Sequence, residues 1–343
     1  ESGVRACFQR RMNDFFPMDL PRFDVALKDC RSGRISARLN ASLALAAAGD
    51  GQSADAIAAL AGLLDDESDQ VRAQAVEGLV QWRLRGMDVP ADLRPRLTDP
   101  SPRVRCALVE HLHLFCDDAA SLALPMTGDP IAGVRACAVL QLHPTDAEAN
   151  RRLQVLLEDA DRDVRMRAAI ALGEDGGDRG FTELARSVRD ADVFFEEAVC
   201  ALARICDARG KSVLEQRMKG LLVSPAVKSL CAAALLRFDD PPVAIMVELL
   251  SSRRARVRTH ALRALCLLPS PLMIESLQQI AVRAADPQEA SEALAAFAAL
   301  KDVDEAVATA ALAAIAGRVH PDLQEELADI RGSGERKVDA DVL

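Results

Sequence analysis

The sequence predicts an all-α fold, a right-handed α-solenoid in which about nine helical hairpins stack in order between capping helices at the two ends. A nine-residue frame, V-R-x-x-A-x-x-A-L, recurs along the chain at intervals of 30 to 34 residues. A fixed period of this length is typical of repeat proteins. Aromatic residues make up only 3% of the chain, with one Trp and no Tyr. No segment alternates between apolar and polar residues as a β-strand does.

Each copy of the frame predicts one amphipathic helix. Its first, fifth, eighth and ninth positions are apolar or small, and these positions share one face at 3.6 residues per turn. The regular copies begin at Ala37, Val71, Val104, Val134, Val164, Val227 and Val257. Two degenerate copies begin at Phe194 and Glu289.

A second amphipathic run precedes several copies and predicts the partner helix of a hairpin. These runs cover residues 54–64, 148–157, 182–188 and 243–250. A short polar turn, such as Asp99-Pro100-Ser101-Pro102, separates the two helices. Asp and Pro are residues that end one helix and begin the next. Because a single hairpin leaves its apolar faces uncovered, neighbouring hairpins are expected to stack on one another.

This unit resembles the HEAT repeat, in the short form found in bilin-lyase-like HEAT proteins. The resemblance covers residues 21–300, and it implies that the helices with the frame line the concave side. Four turns carry an Asp six residues before the frame Arg. In the HEAT family such residues form a hydrogen-bonded ladder between repeats. The resemblance therefore implies a ladder of Asp66, Arg72, Asp99, Arg105, Asp129, Arg135, Asp159 and Arg165.

The period is not interrupted by a linker, so the sequence predicts one continuous solenoid. Residues 1–20 lie outside the frame and are expected to form an N-terminal cap. The repeats occupy residues 21–300, and residues 301–331 are expected to form closing helices. The short polar segment 332–343 is predicted to be disordered.

Charge and cysteine usage limit the classes of function. The net charge of −10 opposes binding to nucleic-acid phosphates. No apolar run is long enough to span a membrane. The nine cysteines include no C-x-x-C pair, and several occupy small-residue positions of the frame. The simplest interpretation is that these cysteines are packed free thiols in a reducing compartment. This interpretation predicts a cytoplasmic protein.

The sequence offers no convincing catalytic, metal or cofactor site. The densest group of metal-ligand types is Glu110-His111-Leu112-His113 with Cys116 nearby. On a helix the two histidines would point in nearly opposite directions and could not share an ion. HEAT-like deoxyhypusine hydroxylases hold iron with His-Glu dipeptides, and this chain contains none. These observations favour a non-enzymatic function without a cofactor.

Two departures from the frame are candidate contact sites. At residues 194–197 the Val-Arg pair is replaced by Phe194-Phe195, followed by Glu196 and Glu197. Phe195 is expected either to pack as a local substitute for the ladder or to serve as an exposed aromatic anchor for a partner. The second departure is a run of arginines whose turn has Ser252 in place of the ladder Asp. It is expected to be either a solvated basic turn or a contact for an acidic partner or phosphate: Arg253, Arg254, Arg256, Arg258 and Arg263.

The favoured function is that of a scaffold that binds a protein or peptide in the groove of the solenoid. Side chains expected to line this groove are Gln74, Glu77, Glu110, Arg167, Phe195, Glu197, His260 and Arg263. Two alternatives remain open. One is a bilin-lyase-like chromophore transfer factor, which the repeat subtype suggests. The other is a nucleic-acid binder similar to the HEAT-like DNA glycosylases, which the net charge disfavours.

Overall fold

The computed structural model describes residues 20–220, 223–284, 286–319 and 321–332. Within these ranges the chain consists of helices and turns and contains no β-strand. Successive helical hairpins pack against one another, which confirms the predicted all-α solenoid fold. The N-terminal cap predicted at 1–20 and the tail predicted at 332–343 lie outside the described residues, apart from Leu20 and Gly332.

The helices form two compact units that divide between Gly180 and Phe181. We call them the N-terminal unit and the C-terminal unit. The division falls within helix α10, Gly177–Asp190. The preceding helices are α1 Phe23–Asp29, α2 Ile35–Ala46, α3 Ser53–Gly62, α4 Asp69–Leu84, α5 Pro102–Val109, α6 Ala119–Met126, α7 Ala132–Val139, α8 Ala147–Leu156 and α9 Arg162–Leu172.

The C-terminal unit continues the same alternation of paired helices. The helices after α10 are α11 Phe195–Ile205, α12 Ala208–Met218, α13 Pro225–Leu235, α14 Val243–Leu250, α15 Ala255–Leu267, α16 Ile274–Arg283, α17 Pro287–Lys301, α18 Glu305–Ile315 and α19 Gln324–Gly332. A short 3-10 helix, Pro321–Leu323, precedes the last of them.

The helices that carry the frame are the second helices of the hairpins. They are α2, α4, α5, α7 and α9 in the N-terminal unit, and α11, α13, α15 and α17 in the C-terminal unit. Within each unit every second helix contacts the next. Between α4 and α5 the first helix is reduced to a 3-10 helix, Arg94–Thr98. Proline cannot donate an amide hydrogen bond, and Pro90 and Pro95 in this segment shorten the helix accordingly.

The core lies between the paired helices and consists of the apolar frame positions. The frame valines of the N-terminal unit are fully buried, and so is the single tryptophan, Trp82 on α4. The Trp82 Nε1–H group donates a hydrogen bond to the backbone oxygen of Leu45 at 3.1 Å. Gly78 permits close helix packing, because a Cβ atom there would lie 2.9 Å from Leu60 Cδ2. Small frame residues therefore set how closely the helices approach.

Candidate interaction faces of the second helices

A ladder of arginine–aspartate ion pairs links neighbouring repeats of the N-terminal unit. Arg72 donates from Nε and Nη2 to the two carboxylate oxygens of Asp99, at 2.9 and 2.8 Å. Its Nη1 donates to the backbone oxygen of Asp66 at 2.8 Å. The carboxylate thus belongs to the following turn and the backbone oxygen to the arginine's own turn. The same geometry occurs in the pairs Arg38–Asp66, Arg72–Asp99, Arg105–Asp129 and Arg135–Asp159.

Each ladder aspartate also organises the turn in which it lies. The Asp159 carboxylate accepts the backbone N–H of Asp161 at 2.8 Å, and Asp161 is the N-cap residue of α9. The Arg135 guanidinium beside it holds the pKa of the Asp159 carboxyl below its usual range. Arg165 donates to the backbone oxygens of Asp159 and Ala160 at 2.8 and 3.1 Å. These contacts join neighbouring repeats and fix where each second helix begins.

The C-terminal unit makes the same kind of ion pair with a different acid. Arg258 on α15 donates from Nε and Nη2 to the Glu289 carboxylate, at 2.5 and 2.7 Å. Its Nη1 donates to the Ser252 backbone oxygen at 2.7 Å. Glu289 is 8% exposed and lies in the first turn of α17 rather than in the loop before it. The assignment of Arg258 to a basic cluster without a matching acid is therefore wrong, because a helical glutamate replaces the turn aspartate.

The other predicted basic residues lie on one surface of the C-terminal unit. Arg253, Arg254 and Arg256 are exposed. Arg263 contacts Glu292 at 3.2 Å but keeps 63% of its side chain exposed. Burial, followed by the charges of Arg256 and Arg263, lowers the pKa of His260. We call this surface the basic surface; it consists of Arg253, Arg254, Arg256, His260 and Arg263.

Phe195 packs in the core of the C-terminal unit and is only 8% exposed. It is the first residue of α11, and the Asp192 carboxylate accepts the N–H of the N-cap residue Phe194 at 2.9 Å. Asp192 therefore stands where the ladder aspartates stand, and the sixth residue after it is the buried Ala198. Of the two alternatives for Phe195, its burial agrees with local apolar packing and contradicts an exposed aromatic anchor. Relative to the frame, α11 begins about one helical turn later than the ladder helix α4 does, and no arginine is present at its start.

The break in the pattern exposes acids and a valine instead of an aromatic ring. Glu196 and Glu197 are exposed in the first turn of α11. Val193, directly after Asp192, is 84% exposed. The corresponding position in two ladder turns is occupied by Glu67 and Pro100, so Val193 occupies a position that other turns also expose.

Six side chains of the N-terminal unit form a second surface, which we call the second-helix face: Gln74, Glu77, Cys106, Glu110, Cys137 and Arg167. Glu110 interacts electrostatically with Glu77 on one side and with Cys137 on the other. Arg167 interacts with Cys137 in the same way. These interactions connect Glu77 on α4 with Arg167 on α9 through Glu110 and Cys137.

The second-helix face contains polar groups that the described residues leave without partners. Burial, together with the charge of Glu110, raises the pKa of Glu77 to about 7. No described residue forms a hydrogen bond or ion pair with the Glu77 carboxylate. The Arg167 Nε atom is buried and has no hydrogen-bond partner within the described part of the chain. Such groups lower stability unless another molecule satisfies them.

Gln141 supports this face and was not predicted from the sequence. It is 5% exposed, and its Nε2 donates to the Glu110 backbone oxygen at 2.8 Å. Its Oε1 accepts the backbone N–H of His113 at 3.2 Å. The segment with His111 and His113 is a 3-10 turn rather than the expected helix. No group of three or more His, Cys, Asp or Glu residues suited to a metal ion occurs among the described residues.

Comparison with known proteins yields structural similarity without a family assignment. No family model matches the sequence, and no curated protein matches it. An engineered protein is 19% identical over 89% of this chain and 97% of its own, with a TM-score of 0.41. The Escherichia coli protein YibA is 19% identical over 73% of this chain and 93% of its own, with a TM-score of 0.46. Human deoxyhypusine hydroxylase in complex with glycerol is 21% identical over 72% of this chain and 95% of its own, with a TM-score of 0.29.

In the described ranges, every helix is too short or too polar to cross a lipid bilayer.

Proposed function

We propose that this chain is a non-enzymatic scaffold that binds a protein or peptide through the second-helix face of its N-terminal unit. The observation that carries the proposal is Glu77, whose pKa is raised to about 7 by burial and by Glu110. A lysine or arginine side chain of a partner, placed between these two carboxylates, would supply the missing positive charge. The ionised form of Glu77 would then be favoured.

Arg167 extends the proposed recognition along the same face. It lies on α9, two second helices beyond α5, which Glu110 immediately follows. Packed helices are 8–10 Å apart, so Arg167 is expected about 20 Å from Glu110. An extended peptide covers that distance in about six residues. We therefore propose a ligand segment with a basic residue and, about six positions away, an acidic one.

The basic surface of the C-terminal unit is proposed as an additional contact for an acidic segment. Its three exposed arginines, Arg253, Arg254 and Arg256, are not engaged in ion pairs with described residues. Clustered positive charge accelerates association with an acidic partner more than it adds to the final affinity. This contact is therefore expected to affect the association rate.

A displayed library of random peptides tests the binding proposal. Selection on the wild-type protein should enrich extended sequences with a basic residue, and Glu77→Gln or Glu110→Gln should weaken their binding about tenfold. Asp55→Asn and Glu148→Gln are matched controls, because both acids are exposed on first helices. Failure to enrich any peptide, or an equal loss in the controls, would contradict the proposal.

The two alternatives have direct tests. A chromophore transfer factor should acquire visible absorbance after co-expression with a bilin. A nucleic-acid binder should give a gel shift that weakens with added salt, although the net charge of −10 opposes it. If the absorbance or the gel shift were observed, and if Glu77→Gln did not change it, that function would replace the peptide-binding proposal.

A further inference from the structure

Two cysteine thiols meet where α5 packs against α7. The Cys106 and Cys137 side chains lie close enough to affect each other's ionisation, and neither cysteine is in a disulfide. A Cβ atom placed on Gly133 would lie 3.6 Å from Cys106 Sγ. Gly133 precedes Cys137 by one turn on the same face of α7. The absence of a side chain at Gly133 therefore lets the Cys106 sulfur reach the surface of α7 beside Cys137.

We propose that Cys106 and Cys137 are an oxidisable thiol pair, which a peroxide converts into a disulfide bridge between α5 and α7. Disulfides require Cβ atoms about 3.5–4.5 Å apart, so residues whose thiols are already in contact need little rearrangement. Both side chains are partly exposed, which gives a small oxidant access to them. Both cysteines belong to the second-helix face, but the proposed oxidation does not require a bound peptide.

The same contact determines which sulfur reacts first. The interaction with the Cys137 side chain lowers the pKa of Cys106, and the same interaction raises the pKa of Cys137. Cys106 therefore loses its proton first, and the thiolate is the nucleophile. It attacks one peroxide oxygen, the O–O bond breaks, and a sulfenic acid forms with release of hydroxide.

The second step closes the bridge. The Cys137 sulfur attacks the sulfenic sulfur of Cys106, the S–O bond breaks, and hydroxide leaves. Protons from the two thiols convert the two hydroxides to water. In total the thiols lose two electrons, and one hydrogen peroxide molecule is reduced to two water molecules.

Peptide mapping of the intact chain tests the proposal. The protein is treated with one equivalent of hydrogen peroxide, its remaining thiols are alkylated, and it is digested with trypsin without reduction. Cleavage after Arg105, Arg135 and Arg151 places the two cysteines in peptides 106–135 and 136–151. The expected result is a dominant disulfide-linked species of these two peptides, with two thiols lost per peroxide.

Variants identify the sulfur atoms, because peptide 106–135 also contains Cys116. Cys116→Ser should retain the linked species, whereas Cys106→Ser should abolish it. Cys137→Ser should leave Cys106 as a sulfenic acid that dimedone traps, and circular dichroism checks that each variant is folded. A linked species that survives Cys106→Ser would overturn the proposal. So would oxidation spread over Cys30, Cys116 and Cys206 with no linked species in the wild type.

Discussion

The two units connect their second helices in different ways, although their turns are built alike. In the N-terminal unit the frame arginines of four successive repeats each bind an aspartate of the following turn. In the C-terminal unit Arg258 binds the helical Glu289, and Ala198 occupies the arginine position after Asp192.

The turns of both units nevertheless share one local contact. The side chain of an Asp or Ser accepts the backbone N–H two residues further on, at the N-cap. Asp99 does so for Ser101 at 2.9 Å, and Ser252 does so for Arg254 at 3.3 Å. Forming the turn and linking the second helices are therefore separate structural roles. The first needs a short polar side chain, whereas the second needs an acid that can be supplied from another element.

The largest expected effect concerns the buried aromatic ring at the start of α11. Phe195→Ala should lower the free energy of unfolding by about 4 kcal/mol, because it opens a cavity in the core of the C-terminal unit. Val193→Ala, at an exposed neighbour, should change it by less than about 0.5 kcal/mol. Urea denaturation of both variants checks this. Unchanged stability of the Phe195 variant would mean that the ring contributes little to the core.

Breaking one ladder pair in the N-terminal unit should have the next largest effect. Arg135→Ala leaves the Asp159 carboxylate, whose side chain is 10% exposed, without its guanidinium. Loss of one partner from a buried pair is expected to cost about 3 kcal/mol. Hydrogen exchange should increase most in α7 and α9. Arg254→Ala removes an exposed arginine and serves as the control, and equal effects of the two substitutions would contradict the role of the ladder.

A smaller effect is expected in the C-terminal unit, where the ion pair is more exposed on the arginine side. Glu289→Gln keeps the size of the side chain but removes the charge that Arg258 binds. The expected loss is about 2 kcal/mol. Glu275→Gln controls for charge in the first turn of a helix, because Glu275 lies in the first turn of α16 and is exposed. A loss no larger than that of the control would show that the pair does not hold α15 against α17.

A fourth effect depends on pH and concerns the second-helix face. The folded-state pKa of Glu77, about 7, exceeds the ordinary value of 4.5. The folded state therefore keeps a proton that the unfolded state loses, and stability should fall as the pH rises between these values. Glu77→Gln should remove this slope and be the more stable protein above about pH 7. Urea unfolding from about pH 5 to about pH 8 measures it. Glu148→Gln, on an exposed acid, should retain the slope.

The sequence predicted the second helices because they depend on local spacing, and the resemblance to a repeat family implied the residues of the regular ladder. An Asp six residues before an Arg lies in the same turn-and-helix unit, so Asp66 and Arg72 are visible as one motif. Glu289 could not be found in this way. The ladder aspartates are also 24 to 28 residues from the arginines that they bind, but they recur at one position of the turn. Glu289 instead lies inside a helix where the pattern has a turn residue.

The register at Phe195 was missed for a different reason. The frame positions Ala198, Ala201 and Leu202 are buried wherever the helix begins, so periodicity alone does not locate the start of α11. Only the turn shows where the helix begins, and Asp192, two residues before the N-cap residue Phe194, is the signal that was available. The unpartnered groups of Glu77 and Arg167 depend on burial between helices. Helix periodicity placed them on the face but could not measure their burial.

The buried indole of Trp82 makes the chain its own spectroscopic reporter. The sequence has one Trp and no Tyr, so its tryptophan emission comes entirely from the N-terminal unit. An indole buried in the core emits at shorter wavelength than one in water, and a red shift during denaturation therefore follows that unit alone. Circular dichroism follows the helices of the whole chain. The difference between the two curves would measure the stability of α11 to α19 without any added label.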